Sequence, residues 1–251
     1  MRRLDTILKH SSTTINAPEK HLNEIYMTVL CHCISPGFTD EEAKELQSML
    51  RRLLGSIVTL LFPLSTQSLS RLLSTPHDEV DRTVDDLHAI LDILKDPNQP
   101  LRIHHPSFCD FLLNKDRCGD FWVDEKKAHQ ILAAGCIQLM SQTLKKDICE
   151  MHAPSSQASQ VESSWIEKCL PPKVQYACLY WIQHLQRSSS LVHDDEEAHR
   201  FLQAHLLHWL EALGWIGKAL EGIHAILSLE SHVLVSYLSI VCRSLTNLSV
   251  G

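Results

Sequence analysis

The chain has 251 residues, of which 44% are hydrophobic and 21% charged, and its formal net charge is −7. That length accommodates one large domain or two small ones with a sizeable buried core. The acidic balance argues against a nucleic-acid surface, which needs clustered Lys and Arg, and no apolar run approaches the roughly 18–20 residues of a membrane span.

Only eight residues are glycine, and long stretches run without Gly or Pro, so the composition leans towards an α-rich fold. Residues 1–20 are polar as a whole; Arg2 and Arg3 are not followed by the apolar core of a signal peptide, and the chain reads as cytoplasmic. The nine cysteines are odd in number and irregular in spacing. Cys31-His-Cys33 is the only close group and no second pair completes a zinc site, so buried free thiols are expected and no metal ligands.

In chain order, 22–33 predicts a short helix, broken by Pro36-Gly37. Thr39 with Asp40, Glu41 and Glu42 reads as an N-cap and acidic first turn. Leu46, Leu50, Leu53, Leu54, Ile57, Leu60 and Leu61 recur at three and four, the buried face of a helix ending near Pro63. Ser65 caps a short helix carrying Leu69, Leu72 and Leu73. Thr75-Pro76-His77-Asp78 predicts another start, with Thr75 as cap and Val80, Val84, Leu87, His88 and Leu91 facing inward. Residues 90–94 and Leu101–His104 flank the turn-rich 95–100 and predict a small β-hairpin.

Beyond the hairpin only helices are expected. Asp124 caps one carrying Ala128, Ile131, Leu132, Leu139 and Met140; 154–164 reads as a Ser/Gln-rich loop. Pro171-Pro172 opens a helix with Val174, Ala177, Cys178, Trp181 and Leu185. Asp194 or Asp195 opens the next, with Ala198, Phe201, Leu202, Trp209, Leu210 and Leu213, punctuated by Gly214. Two more are expected at about 215–228 and 231–247. The fold class expected is mainly α: a winged-helix-like module over 44–114 with a small hairpin, then an α-helical array over 115–251.

Several stretches together resemble a known family. They are Leu22-Asn-Glu-Ile-Tyr26, Leu54-Gly-Ser-Ile-Val58, Phe62-Pro-Leu-Ser65, Ser70-Arg-Leu-Leu73 and Val84-Asp-Asp-Leu-His88. They continue with His105-Pro-Ser-Phe-Cys-Asp-Phe-Leu-Leu113, Gln175-Tyr-Ala-Cys-Leu-Tyr-Trp181 and His205-Leu-Leu-His-Trp-Leu-Glu-Ala-Leu213. In this order they resemble the region after the NACHT ATPase domain in fungal NLR-like STAND NTPases, the heterokaryon-incompatibility proteins of the HET-E type. The resemblance implies that 1–43 is a linker with helices from the end of a NACHT module. It also implies a non-catalytic regulatory and scaffolding role, coupling nucleotide state to conformational switching in self/non-self recognition. The partner implied is a NACHT-containing protein or a flanking NACHT domain, with no nucleic acid, membrane or small-molecule substrate. ADP or ATP enters only if that NACHT domain supplies it, and no other cofactor is expected. A standalone decoy module and a truncated product without independent activity are the alternatives.

By the same resemblance His105 occupies the position whose histidine contacts the nucleotide's β-phosphate, followed by Pro106, Ser107, Phe108, Asp110 and Phe111. The residues alone leave a second reading open, a corner histidine tying a strand end to a helix start. Departures from the family pattern are plain. No GxxxxGK[ST] occurs, Gly214-Trp-Ile-Gly-Lys218 has the wrong spacing, and Cys109 stands where the family often has Arg.

Other constellations point to no chemistry. Residues 76–91, the groove-entering helix of a DNA-binding winged helix, carry Asp78, Glu79, Asp81, Asp85 and Asp86 against Arg82, a charge that phosphates repel. Cys109 and His105 are four apart, but no orienting acid beyond Asp110 and no oxyanion loop accompany them. His199, His205 and His208 lack a metal-ligating pattern. Tyr176, Tyr180, Trp181, Trp209 and Trp215 fall at helical spacing and predict core packing, or else a docking groove along the array.

Overall fold

The computed structural model describes residues 19–34, 37–93, 96, 98–152, 158–189 and 197–230. The chain order is α1 (19–33), α2 (Asp40–Thr59), α3 (Thr66–Leu72), α4 (His77–Asp85), β1 (Leu91–Asp92), β2 (Arg102–Ile103), α5 (Ser107–Leu113) and α6 (Lys115–Cys118). There follow α7 (Glu125–Thr143), α8 (Ser163–Cys169), α9 (Pro172–Arg187), α10 (Glu197–Trp215) and α11 (Ala219–Glu230). The fold is mostly helical, with a small antiparallel hairpin followed by a helical array.

The local rules set most boundaries. Thr39 and Glu42 form a reciprocal capping box at the start of α2: the Glu42 N–H donates to Thr39 Oγ1, and the Thr39 N–H donates to Glu42 Oε2 at 2.8 Å. α2 ends at Thr59, so Leu60 and Leu61 lie beyond the helix they were expected to extend. Ser65 Oγ accepts the Ser68 N–H and caps α3. Asp124 Oδ1 accepts the Lys127 N–H and caps α7. β1 and β2 pair with Leu91 opposite Ile103 and Asp92 opposite Arg102.

Other expectations need correction. Thr75 does not cap α4, because its hydroxyl donates back to the Leu73 carbonyl, and Pro76, which has no capping side chain, takes the N-cap. His88 is exposed because α4 stops at Asp85 and the turn after it re-aims the side chains. Ile131 and Leu210 are only half-buried. The loop expected over 154–164 gives way to α8 at Ser163, a helix with no fully buried residue and hence no apolar period to read. Gly214 does not end its helix; the stop is Gly217, at φ 69°. There the Lys218 N–H donates to the Leu213 carbonyl at 2.8 Å and the Gly217 N–H to the Gly214 carbonyl at 3.1 Å, a Schellman ending that only glycine enters without strain. The following helix therefore begins at Ala219 rather than at about 215. Asp194, Asp195, the helix expected over 231–247 and Cys242 lie outside the described residues.

Two apolar cores hold these elements. The first gathers Tyr26 and Leu30 of α1, Leu50 and Leu54 of α2, Val84, Leu87, Phe108 and Phe111. The second gathers Met140 and Cys136 of α7, Trp181 of α9 and Trp209 of α10. Trp181 and Trp209 are fully buried and meet edge to face at 5.6 Å. At 150–250 Å² apiece, burial of each indole contributes roughly 4–6 kcal/mol. The Trp209 indole N–H donates to the Cys178 carbonyl at 2.9 Å, so its polar atom is not stranded.

α7 serves both cores. Ala128 and Leu132 face the first, and Cys136, Ile137 and Met140 face the second. It passes close to α3 at Gly135, where a Cβ would stand 2.0 Å from the Leu72 carbonyl oxygen. Glycine in a helix interior costs about 1 kcal/mol against alanine, and close backbone approach is what that cost permits here.

Candidate functional site

His105 lies at the corner where the hairpin leads into α5. His104 closes the strand: its N–H donates to the Ile90 carbonyl at 3.0 Å, and its Nε2 contacts the His88 carbonyl at 3.2 Å. His105 follows, exposed, and turns back on the helix start. Its Nδ1 accepts the Ser107 N–H at 3.2 Å and stands 2.7 Å from Ser107 Oγ. Pro106 occupies the N-cap of α5 with no capping side chain, so the imidazole two residues before Ser107 does that work.

The backbone N–H fixes the ring's tautomer. A nitrogen that accepts cannot carry the proton, so the neutral ring holds its hydrogen on Nε2. Among the described residues no hydrogen bond reaches Nε2. Ser107 Oγ also lies 2.9 Å from Tyr26 Oη. With the serine proton directed at His105, the tyrosine is the donor to Ser107. The result is a directed chain from α1 through Ser107 to the exposed ring, ending in one N–H on Nε2.

Phe108 and Phe111 make this corner rigid. Both are fully buried, their rings 5.1 and 5.3 Å from the Tyr26 ring and 6.2 Å from each other. Asp110, between them, is exposed in the first turn of α5. The two readings of His105 are thus compatible in geometry, since Nδ1 ties the helix start and Nε2–H remains for an acceptor. What the corner offers chemically is one oriented donor, sufficient to contact an anionic oxygen and insufficient to hold a nucleotide.

The remaining sequence candidates are placed as follows. Burial, then the Asp110 charge, pushes the Cys109 thiol up, opposite to what a nucleophile needs. Cys33 is raised to about 11, chiefly by burial, while Cys31 is exposed. Lys218 of the P-loop look-alike sits just past the end of α10, 2.7 Å from Glu221. His205 stacks on Phe201 at 5.6 Å, and His208 Nδ1 lies 3.4 Å from His205 Nδ1. Among the described residues no group of three His, Cys, Asp or Glu side chains is placed to hold a metal ion, and no helix is long and apolar enough to cross a membrane. Tyr176, Trp181, Trp209 and Trp215 are buried as expected of core residues.

One polar cluster escaped the sequence reading. His129 of α7 and His184 of α9 are buried together, Nδ1 to Nδ1 at 2.8 Å. His184 Nε2 lies 2.7 Å from Tyr176 Oη, which accepts the Leu61 N–H at 3.3 Å. One arrangement satisfies the chain as far as His129 Nδ1: Leu61 N–H to Tyr176, Tyr176 O–H to His184 Nε2, and His184 Nδ1–H to His129 Nδ1, with His129 Nε2–H facing Glu125 at 3.9 Å, beyond hydrogen-bond distance. Burial, then His129 and Arg187, lowers His184 to about 3; burial, then Arg187, lowers His129 against the opposing pull of Glu125. Both rings are neutral at neutral pH. Tyr176 also floors a cavity of about 500 Å³ between the α2–α3 loop and the start of α9, with Phe62, Asn98, Lys173 and Tyr180 on its walls. The available signal was period: Ala177, Trp181 and His184 fall at i, i+4 and i+7, placing the histidine on the buried face.

The chain is 30% identical to the "Vegetative incompatibility protein HET-E-1" of Podospora anserina over a match covering 73% of this chain. The match spans 15% of that protein's length. No protein-family model matches the chain, and no solved structure matches it. The chain is distantly related to a fungal incompatibility protein of the HET-E type.

Proposed function

We propose that this chain is a non-catalytic regulatory and scaffolding module of a fungal NACHT-type signalling NTPase, in which His105 reads the phosphate of a nucleotide held by a NACHT domain. The observation that carries the reading is the His105 corner. Its Nδ1 is bound to Ser107, its Nε2–H is exposed, and its backbone is fixed by the Tyr26–Phe108–Phe111 cluster. The distant relation to an incompatibility protein supports the same direction. In this reading the ADP-bound NACHT core docks against the corner, the Nε2–H donates to a phosphate oxygen, and loss of that contact frees the helical array to move.

The test is calorimetric. The chain alone should not bind ADP, because one donor cannot replace a P-loop. Mixed with a NACHT domain of the family it resembles, it should form a complex that ADP tightens. His105→Ala should weaken that ADP effect by about 1.5–3 kcal/mol, the size of a hydrogen bond to a charged group, without unfolding the chain. A complex indifferent to ADP, or an ADP effect unchanged by His105→Ala, would falsify the sensor role. Binding only to a full-length relative, and not to its isolated NACHT domain, would favour the decoy alternative.

A further inference from the structure

Two thiols of the helical array stand side by side. Cys149 lies in the turn after α7 and is fully buried. Cys169 is the last residue of α8 and is half-buried. The two thiols are hydrogen-bonded to each other. Neighbours fix both sides of the contact. The Glu211 carboxylate accepts the Asp147 and Ile148 N–H groups at 3.1 Å, and the Asp147 carboxylate accepts those of Met151 and His152 at 2.9 and 3.0 Å. From α8, the Trp165 indole N–H donates to the Cys149 carbonyl at 3.1 Å. Trp165 and Cys169 are four apart, so they share one face of the helix, and that face rests on the Cys149 turn. No residue of α8 is fully buried, so the helix is lightly held and a covalent tie would change its freedom.

The other cysteines lack this arrangement. Cys136 and Cys178 are both fully buried, out of reach of a reagent. Cys31 and Cys33 are two apart on α1 and point to different sides. We propose that Cys149 and Cys169 are a reversible disulfide pair that clamps α8 to the turn after α7. The oxidant is a low-molecular-weight disulfide, with glutathione disulfide as the type. Burial, then the bond to Cys169, pushes the Cys149 thiol up to about 12, so the half-buried Cys169 attacks first. Its thiolate breaks the S–S bond of the oxidant and releases one glutathione thiolate, leaving a mixed disulfide. Cys149 then yields its proton to solvent, and its sulfur displaces the second glutathione thiolate. The protein pair loses two electrons, the oxidant gains two, and the two thiol protons end on two glutathiones. This inference rests on the thiol contact and does not depend on the His105 reading.

The experiment treats the reduced full chain with glutathione disulfide at mildly alkaline pH, traps it with N-ethylmaleimide and maps the cysteines by mass spectrometry. A Cys149–Cys169 peptide within one chain should dominate and disappear on dithiothreitol treatment. Cys149→Ser, with its helical circular dichroism unchanged, should instead hold at least about tenfold more Cys169–glutathione adduct, because nothing displaces the second thiolate. Amide exchange over 163–169 should slow about tenfold in the oxidised native chain and not in the Cys149→Ser adduct. A native chain that accumulates the Cys169 adduct, leaves Cys169 alkylated, or pairs it with another cysteine or a second chain would overturn the proposal. Unchanged exchange in α8 after the bond has formed would overturn the clamp.

Discussion

Acidification tests the buried histidine chain. In the folded protein His184 is lowered from its ordinary 6.5 to about 3, by burial and then by His129 and Arg187. Unfolding returns the ring to water. Between those two values the unfolded chain binds a proton that the native chain refuses, so stability falls as pH falls. It is fully present above about 6.5, and the loss is complete below about 3. At pH 5, about 1.5 units under the unfolded value and at 1.36 kcal/mol per unit, His184 alone removes about 2 kcal/mol. His129, lowered by the same burial, acts in the same direction. The assay is urea unfolding of the native chain and of His184→Gln at pH 7.5 and pH 5. The native chain should lose about 2 kcal/mol more than the variant, because the glutamine can accept from Tyr176 and takes up no proton. Long-range ¹H–¹⁵N spectra should show His184 neutral at pH 5, with its hydrogen on Nδ1. A His184 that titrates near 6, or equal pH slopes for the two proteins, would refute the assignment.

Three further outcomes are expected. Gly135→Ala gains about 1 kcal/mol of helix propensity, but its Cβ meets the Leu72 carbonyl at 2.0 Å. Overpacking against backbone costs about 1–3 kcal/mol or more, so a lowered Tm in a thermal melt is expected, and an unchanged one would mean α3 retreats freely. Tyr26→Phe removes the donor to Ser107 Oγ and should cost about 1 kcal/mol; combined with Ser107→Ala the losses should fall short of additive in denaturant titrations. Glu211→Ala strands the N–H groups of Asp147 and Ile148, both held at 3.1 Å. It should cost about 2 kcal/mol and speed amide exchange over 147–152.

The α-rich class, the hairpin and most helix starts were legible because local rules govern them. Thr39, Ser65 and Asp124 cap as their side-chain chemistry dictates. The misreadings share a different cause. Thr75 is pulled away by the Leu73 carbonyl, a contact that depends on how α3 ends. Gly214 and Gly217 are three apart, and only the backbone angle shows which one stops the helix. α8 packs through half-buried Ile166 and a Trp165 N–H donated to the Cys149 carbonyl, leaving no apolar stripe. At the corner, the position of His105 between strand and helix was readable. The division of labour between its nitrogens was not, since it follows from a backbone N–H two residues on. The His129–His184 contact joins residues 55 apart, and no local pattern encodes it.

The same contact bears on how movement could pass along the chain. α7 contributes to both cores, so the corner-bearing half and the helical array are not separated by a simple hinge within it. The polar chain adds a second tie, from Leu61 just beyond α2 through Tyr176 and His184 to His129. Apolar contacts tolerate small sliding, because dispersion is non-directional and Met140 and its neighbours can repack. A buried hydrogen-bond chain does not: a shift of about 1 Å breaks a bond and leaves a desolvated donor or acceptor, at about 1–3 kcal/mol each. The α2–α3 loop, α7 and α9 therefore have one preferred register and resist intermediate ones. Under the proposed reading, that single register would carry a displacement at the corner to the array as one body instead of dissipating it.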